Sequence, residues 1–365
     1  MTRKSKKLLT NGKLLTKVFT TMLAAAGLIF GLVVSTKTAG TAARTTNSRE
    51  EPARLAAVAP AAAAPQAEEL AGTIAISGAW ALYPMAVKWA EEFQKIHPKV
   101  KIDIAAGGAG KGMADALAGV VDIGMVSRDI HPAEVQKGAF WISVVKDAVV
   151  PTINEHNPFL REILAKGVKK ETLAAIWISG KISRWSEVVG ISGLSRQQEG
   201  QDGIHVYTRS DACGAAETWA QYLGKNQEDL LGIGVYGDPG LVEAVSKDRL
   251  GIGFNNINYV YQAKTKEQVS GIRVLPIDLN GNGRLDEDEN FYQDRQAITR
   301  GIATGKYPSP PARELHFVSQ GKPKKPIVVA FLRWILTDGQ RYVPEAGYIN
   351  LSEEKLQQEL QKLER

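Results

Sequence analysis

The chain of 365 residues contains one cysteine, Cys213, so no intrachain disulfide staples it. It has a single long apolar run and no second, which excludes a polytopic membrane protein. Its five histidines (His97, His131, His156, His205 and His316) are scattered and show no metal-ligand spacing. No nucleophile–base pair and no solenoid repeat is visible, so an enzyme is not expected. What the chain does have is apolar material, 44% of residues against 23% charged. That balance excludes a wholly disordered chain and supplies real cores. The length suggests two domains or one large α/β body.

The formal charge of +6 points first toward nucleic acid, but its distribution removes that reading. Arg3, Lys4, Lys6, Lys7, Lys13, Lys17, Lys37 and Arg44 are eight cations with no acid among them, which leaves residues 45–365 at a net −2. Basic residues, an apolar stretch over 18–35 and small residues over 38–43 form the pattern of an export signal. The stretch exceeds the usual ~7–15 residues and is near the ~17–25 needed to span a bilayer. Residues 1–43 therefore read as a signal peptide or an N-terminal membrane anchor, and the protein as periplasmic or otherwise extracytoplasmic. Residues 44–70, rich in Ala and Pro and without apolar periodicity, read as a flexible linker.

From residue 72 onward strands, glycine-bearing loops and helices alternate. Residues 73–76 lead into Ser77-Gly78-Ala79-Trp80-Ala81-Leu82-Tyr83-Pro84, then a helix with Met85, Trp89 and Phe93 at intervals of four. The alternating strand 100–104 leads into Gly107-Gly108-Ala109-Gly110-Lys111-Gly112. A third strand, 121–126, ends in Ser127-Arg128-Asp129. A later one, 204–208, ends in Arg209-Ser210-Asp211-Ala212-Cys213-Gly214-Ala215. Such alternation implies mainly parallel sheets with covered faces, and ligands sit beyond the carboxyl ends of their strands. Glycines there admit close backbone approach, and each following helix presents unpaired N–H groups, so converging loops of this kind suit an anion.

In order and spacing these motifs resemble the solute-binding proteins of bacterial phosphate ABC transporters, over residues 72–350. The resemblance implies an α/β, two-lobed type II periplasmic-binding-protein fold, each lobe a mainly parallel sheet flanked by helices, with the ligand cleft between. Residues 71–155 and 257–365 would form the first lobe and 156–256 the second. It further implies that inorganic phosphate is held by Ala81 and Leu82 of the first turn, Ala109, Ser127, Asp129, Arg209, Cys213, Gly214 and Ala215. In that scheme Arg209 offers a planar fork of donors, fixed by Asp211. Asp129 accepts a hydrogen bond only from a protonated oxyanion and so disfavours sulfate. The expected partners are ABC permease subunits, with no nucleic acid and a monomeric state.

The chain departs from the family pattern where hydroxyl donors are usual. Ala79, Trp80 and Ala81 occupy the first turn, Ala109 the second loop, and Cys213 and Ala215 the Arg209 loop. These losses keep two further readings open: another oxyanion or small acid, or a non-transport envelope module with a degenerate site.

A separate motif lies at 278–289. Asp278, Asn280, Asn282, Arg284 (through its carbonyl), Asp286 and Glu289 fall at the ligand positions of an EF-hand-like calcium loop, with Gly283 at the sharp turn. The expectation is a structural Ca2+. Trp80 and Tyr83 are candidates to wall the cleft, and Lys111 is expected to solvate its loop. A strand should precede the calcium loop, a core helix should cover 327–335, and a capped amphipathic helix should begin at Ser352.

Overall fold

The computed structural model describes residues 69–192 and 201–364. The expected leader and nearly all of the linker lie outside the described residues. Nine strands are β1 (Gly72–Gly78), β2 (Val100–Ala106), β3 (Ile123–Val126), β4 (Ala139–Asn154), β5 (His205–Arg209), β6 (Ile233–Val235), β7 (Gly251–Asn256), β8 (Ile272–Val274) and β9 (Ala312–Gln320). Their order is β2-β1-β3-β9-β4-β7-β5-β6, with β8 also on β4. Parallel pairs join β1 to β2 and β3, and β5 to β6 and β7. Between these two parallel groups, β9 runs antiparallel to β3 and β4, and β4 antiparallel to β7.

The periodicities act as the sequence suggests. In β2, Val100 and Ile102 are buried while Lys101 and Asp103 face water, the period-two signature of a half-covered edge. The helix Tyr83–Ile96 buries Met85, Ala86, Trp89, Ala90 and Phe93 on one stripe and begins with Pro84 in its first turn. The core helix spans Pro326–Leu336. The tail helix Glu353–Glu364 starts where Ser352 Oγ accepts the Lys355 amide at 3.2 Å.

Apolar side chains gather into two cores. One holds residues from 74–145 and 315–363, the other residues from 148–312 together with Ile349. The chain thus passes between cores inside β4, between Val145 and Ala148, and returns inside β9, between Ala312 and Leu315. This corrects the expected lobe boundaries at 155/156 and 256/257. Ile257, Val260, Tyr261, Ile272, Ile298 and Tyr307, assigned by sequence to the first lobe, pack into the second core. At the crossing both strands carry a charged pair, Lys146-Asp147 in β4 and Arg313-Glu314 in β9, between apolar stretches that belong to different cores. A bulge interrupts the β4–β9 register between Ser143 and Val145.

His316 of β9 lies opposite Ser143, whose Oγ is 3.1 Å from its Nδ1. Burial pushes the imidazole pKa down to about 4, so the folded state keeps it neutral while the unfolded chain titrates near 6.5. Its contribution to stability is therefore complete above pH 6.5 and is lost as pH falls toward 4, amounting to about 3 kcal/mol. Denaturant unfolding at pH 7 and pH 4.5 should show a smaller drop for His316→Asn than for the wild type. Equal drops would remove this group from the acid response.

Candidate functional site

Gly78 ends β1 with φ +130°, a region costly for any side chain, and a Cβ there would stand 2.4 Å from the Met125 carbonyl oxygen. The first turn therefore lies tight on β3, and the Ala79 amide bonds that same oxygen at 2.9 Å. The Leu82 and Tyr83 amides both donate to the Ala79 carbonyl, at 3.1 and 3.2 Å. Leu82, expected to offer its amide to an anion, thus spends it within the turn; Ala81 beside it is buried. Trp80 reaches the second lobe, with ring centroids 6.1 Å from Tyr236 and 6.5 Å from Tyr259. The Tyr259 hydroxyl donates to the Trp80 carbonyl at 2.9 Å, so the first turn touches the second lobe directly.

The second loop meets the second lobe through its backbone. Gly110 donates its amide to the Ala212 carbonyl at 3.0 Å. Ala109, fully buried, opens the helix Ala109–Leu117 beside it. Lys111 pairs with Asp115.

At the end of β3, Ser127 and Arg128 are buried and Asp129 is exposed. Asp129, expected to accept a hydrogen bond from the ligand, thus takes the exposed position at this strand end and Arg128 the buried one. The physical reason is its neighbour. Arg128 is drawn inward by a two-pronged bond to Glu134, at 2.9 and 2.6 Å, and by Glu217 of the second lobe, 3.0 Å from its Nε. It also donates to the Asp129 carbonyl. His131 Nε2 lies 2.9 Å from the other oxygen of Glu217, so two first-lobe groups grip one second-lobe carboxylate.

Arg209 closes β5 with its side chain fully buried. Its Nε and Nη2 fork onto Asp211 at 2.8 and 2.7 Å, the pairing read from sequence. Its Nη1 donates to Asp238 at 2.8 Å, a partner that sequence reading missed. Burial works against the charge, but the carboxylates, Asp238 foremost, outweigh it and hold the guanidinium pKa above its ordinary value. Asp238 in turn accepts the Asn256 amide at 2.9 Å and the Asn256 side chain at 2.8 Å. The charge of Arg209 is thus compensated within the protein.

Cys213 caps the helix Gly214–Tyr222, its Sγ accepting the Ala216 amide at 3.4 Å. Burial pushes its thiol up to about 11, which leaves it inert as a nucleophile. Gly214 and the buried Ala215 open that helix, where backbone N–H groups have no intrahelical acceptor. A Cβ on Gly214 would stand 2.1 Å from the Ser127 carbonyl oxygen and 2.4 Å from its Oγ. Only glycine lets the two loops approach this closely, and the approach joins Ser127 and Gly214.

Beneath this contact the passage strands bring Asp147 and Arg313 directly opposite each other, both buried. Arg313 donates to the Gly214 carbonyl at 3.0 Å and to Asn256 Oδ1. Burial lifts the Asp147 carboxyl to about 7, against the pull of Arg313. Neither residue was found from sequence. The usable signal was the Lys146-Asp147 pair interrupting an otherwise apolar run from Val144 to Val150.

The 278–289 loop follows β8 and curls on its own oxygens. Asp278, buried, accepts the Gly281 and Gly283 amides, each at 2.8 Å. Glu289, also buried, accepts those of Leu279 and Asn280, both at 2.8 Å. Asn280 and Asn282 both donate to Asp286, which Arg284 also holds, and Lys169 bonds the Gly281 carbonyl. Among the described residues no group of three or more His, Cys, Asp or Glu is gathered to hold a metal.

Residues 59–339 match the profile of the PBP superfamily domain. A phosphate-binding protein PstS from Methanocaldococcus jannaschii is 27% identical over 342 residues, covering 80% of this chain and 86% of the relative. The PstS of Bacillus subtilis is 27% identical over 241 residues, 65% of this chain and 73% of the relative. Among solved structures, a candidate phosphate ABC transporter substrate-binding protein from Clostridium perfringens, with bound phosphate, has a TM-score of 0.62 at 22% identity, covering 77% of this chain and all of that one. An ABC-type phosphate transport receptor from Vibrio cholerae has a TM-score of 0.54 at 18% identity, covering 76% of this chain and 100% of its own.

Replacing Glu217 with Ala removes the shared second-lobe partner of Arg128 and His131 while leaving Arg128 its bonds to Glu134. Charge-assisted bonds of this kind contribute about 1.5–3 kcal/mol. Small-angle scattering should show a larger radius of gyration for the ligand-free variant, and an unchanged radius would mean these bonds do not hold the lobes together.

Proposed function

The chain belongs to the PBP superfamily, and on that premise we propose that it is an extracytoplasmic solute-binding protein that takes up inorganic phosphate between its lobes and delivers it to the permease of an ABC transporter. The observation that carries this reading is the apposition of Ser127 with Gly214 at the start of the helix Gly214–Tyr222. A serine hydroxyl and first-turn amides meeting at a positive helix end make an oxyanion site. The names of the relatives supply the ion, phosphate. Binding would shift the population toward the closed arrangement, because the contacts come from both lobes. No chemistry on the ligand is called for, and Cys213 is a cap. Residues 1–43 act as the export signal or anchor, and the acidic balance of residues 45–365 argues against nucleic acid. The protein works as a monomer.

The missing hydroxyls at Ala79, Ala81, Ala109 and Ala215 favour one alternative, a different oxyanion in the same place. Calorimetric titration of the exported form with phosphate, arsenate, sulfate and molybdate separates the two. Phosphate should bind with 1:1 stoichiometry, and Gly214→Ala should abolish the heat by forcing Ser127 away. Heat with sulfate or molybdate alone would transfer the protein to the alternative.

The loop 278–289 serves as a calcium staple in this proposal. Its two buried carboxylates, Asp278 and Glu289, stand at the first and last ligand positions, and Asn side chains and a backbone carbonyl supply the further hard oxygens calcium takes. Calcium should raise the melting temperature of the wild type and leave Asp278→Ala unmoved. Equal shifts in both proteins would place any bound calcium elsewhere.

A further inference from the structure

The loss of hydroxyls from the cleft turns raises the question of what faces a ligand in their place. Six buried side-chain atoms in this region have no hydrogen-bond partner: Trp80 Nε1, both oxygens of Asp147, Nδ2 and Oδ1 of Asn258, and Arg313 Nε. Buried polar atoms are nearly always satisfied, so a group of unmet ones marks a place where something else binds. They come from four segments, namely the turn after β1, β4, the residues after β7, and β9.

The contacts around them tie these segments into one neighbourhood. Asp147 and Arg313 are register partners, with a nitrogen and an oxygen 3.9 Å apart. Arg313 reaches Asn256, two residues before Asn258, and also the Gly214 carbonyl at the meeting of the two loops. Tyr259, next after Asn258, donates to the Trp80 carbonyl.

We infer that Trp80, Asn258, Arg313 and Asp147 are ligand contacts, the first three donating in place of the missing hydroxyls and Asp147 accepting from a proton-bearing ligand oxygen. The inference rests on the anion-binding reading above and names the side chains that carry it out. The charges agree with it. Arg209 and Arg313 stand against Asp147, Asp211 and Asp238, so the site has no cationic excess to offer a fully ionised dianion. Asp238 on one side and Arg313 on the other are the charged groups acting on Asp147, and burial dominates both. The class of ligand that meets the three unmet donors and also gives Asp147 a hydrogen bond is an oxyanion carrying at least one O–H; a tetrahedral dianion without hydrogen offers Asp147 none.

The test is calorimetry of the wild type, Trp80→Phe and Asp147→Asn with phosphate and with sulfate, each protein's ligand-free melting temperature serving as the folding control. Trp80→Phe keeps an aromatic ring at the position but removes the indole N–H together with part of the ring, and should weaken phosphate by about 10-fold or more. Asp147→Asn should weaken phosphate and admit sulfate, which the wild type rejects. Phosphate bound by both variants as tightly as by the wild type, with sulfate still rejected, overturns the assignment and leaves the phosphate reading standing. A wild type that gives no heat with phosphate overturns that reading and this inference together.

Discussion

The antiparallel pairing of β4 with β9 is the constraint on which the rest of the structure depends. These two strands carry the chain from one apolar core to the other and back, and each sets a charged pair in the passage, Lys146-Asp147 facing Arg313-Glu314. Because ladder hydrogen bonds hold the pair in register, the cores keep a defined relation without sharing side chains. The same register sets Asp147 beside Arg313 and brings Arg313 under Gly214. The floor of the cleft is therefore a property of the connection itself, whereas its walls come from loops at strand ends.

Those walls are assembled with little free charge. Arg209 is enclosed by Asp211 and Asp238, and Arg128 by Glu134 and Glu217. Attraction for an anion in such a setting cannot come from a naked cation. In the proposed site it comes from oriented dipoles, the amides that open the helix Gly214–Tyr222 foremost among them, and from hydrogen bonds whose donors are fixed in place beforehand. The enclosed arginines set geometry: one pins the Asp211 loop and the other fastens the lobes.

Much of the architecture was legible in the chain. The 83–96 helix announces itself through Met85, Trp89 and Phe93, and the strand–loop–helix units through glycines at strand ends. The Arg209–Asp211 pair is close enough in sequence to be read directly. What escaped has a common cause, since it depends on residues distant in the chain or on a choice between neighbours. Asp147 and Arg313 meet only through the register of two strands far apart in sequence. Asp129 and Arg128 are adjacent, and which of them turns inward is decided by Glu134 and by Glu217, the latter from a different lobe. The lobe boundary was misplaced because each strand runs unbroken from one core to the other, so no turn or linker marks the crossing and only the charged pairs Lys146-Asp147 and Arg313-Glu314 do.

The bulge between Ser143 and Val145 sits at the first-core edge of the passage. A bulge leaves one residue outside the ladder and bends and twists the strand locally, so it is an interruption in an otherwise continuous pairing. Placed there, it gives the molecule leverage. A modest rotation about residues 143–145 is magnified with distance, becoming a wide excursion at the far rims while atoms next to the fulcrum barely move. In the proposed binding cycle, contacts near that point would persist while those at Trp80 and Glu217 would part and re-form.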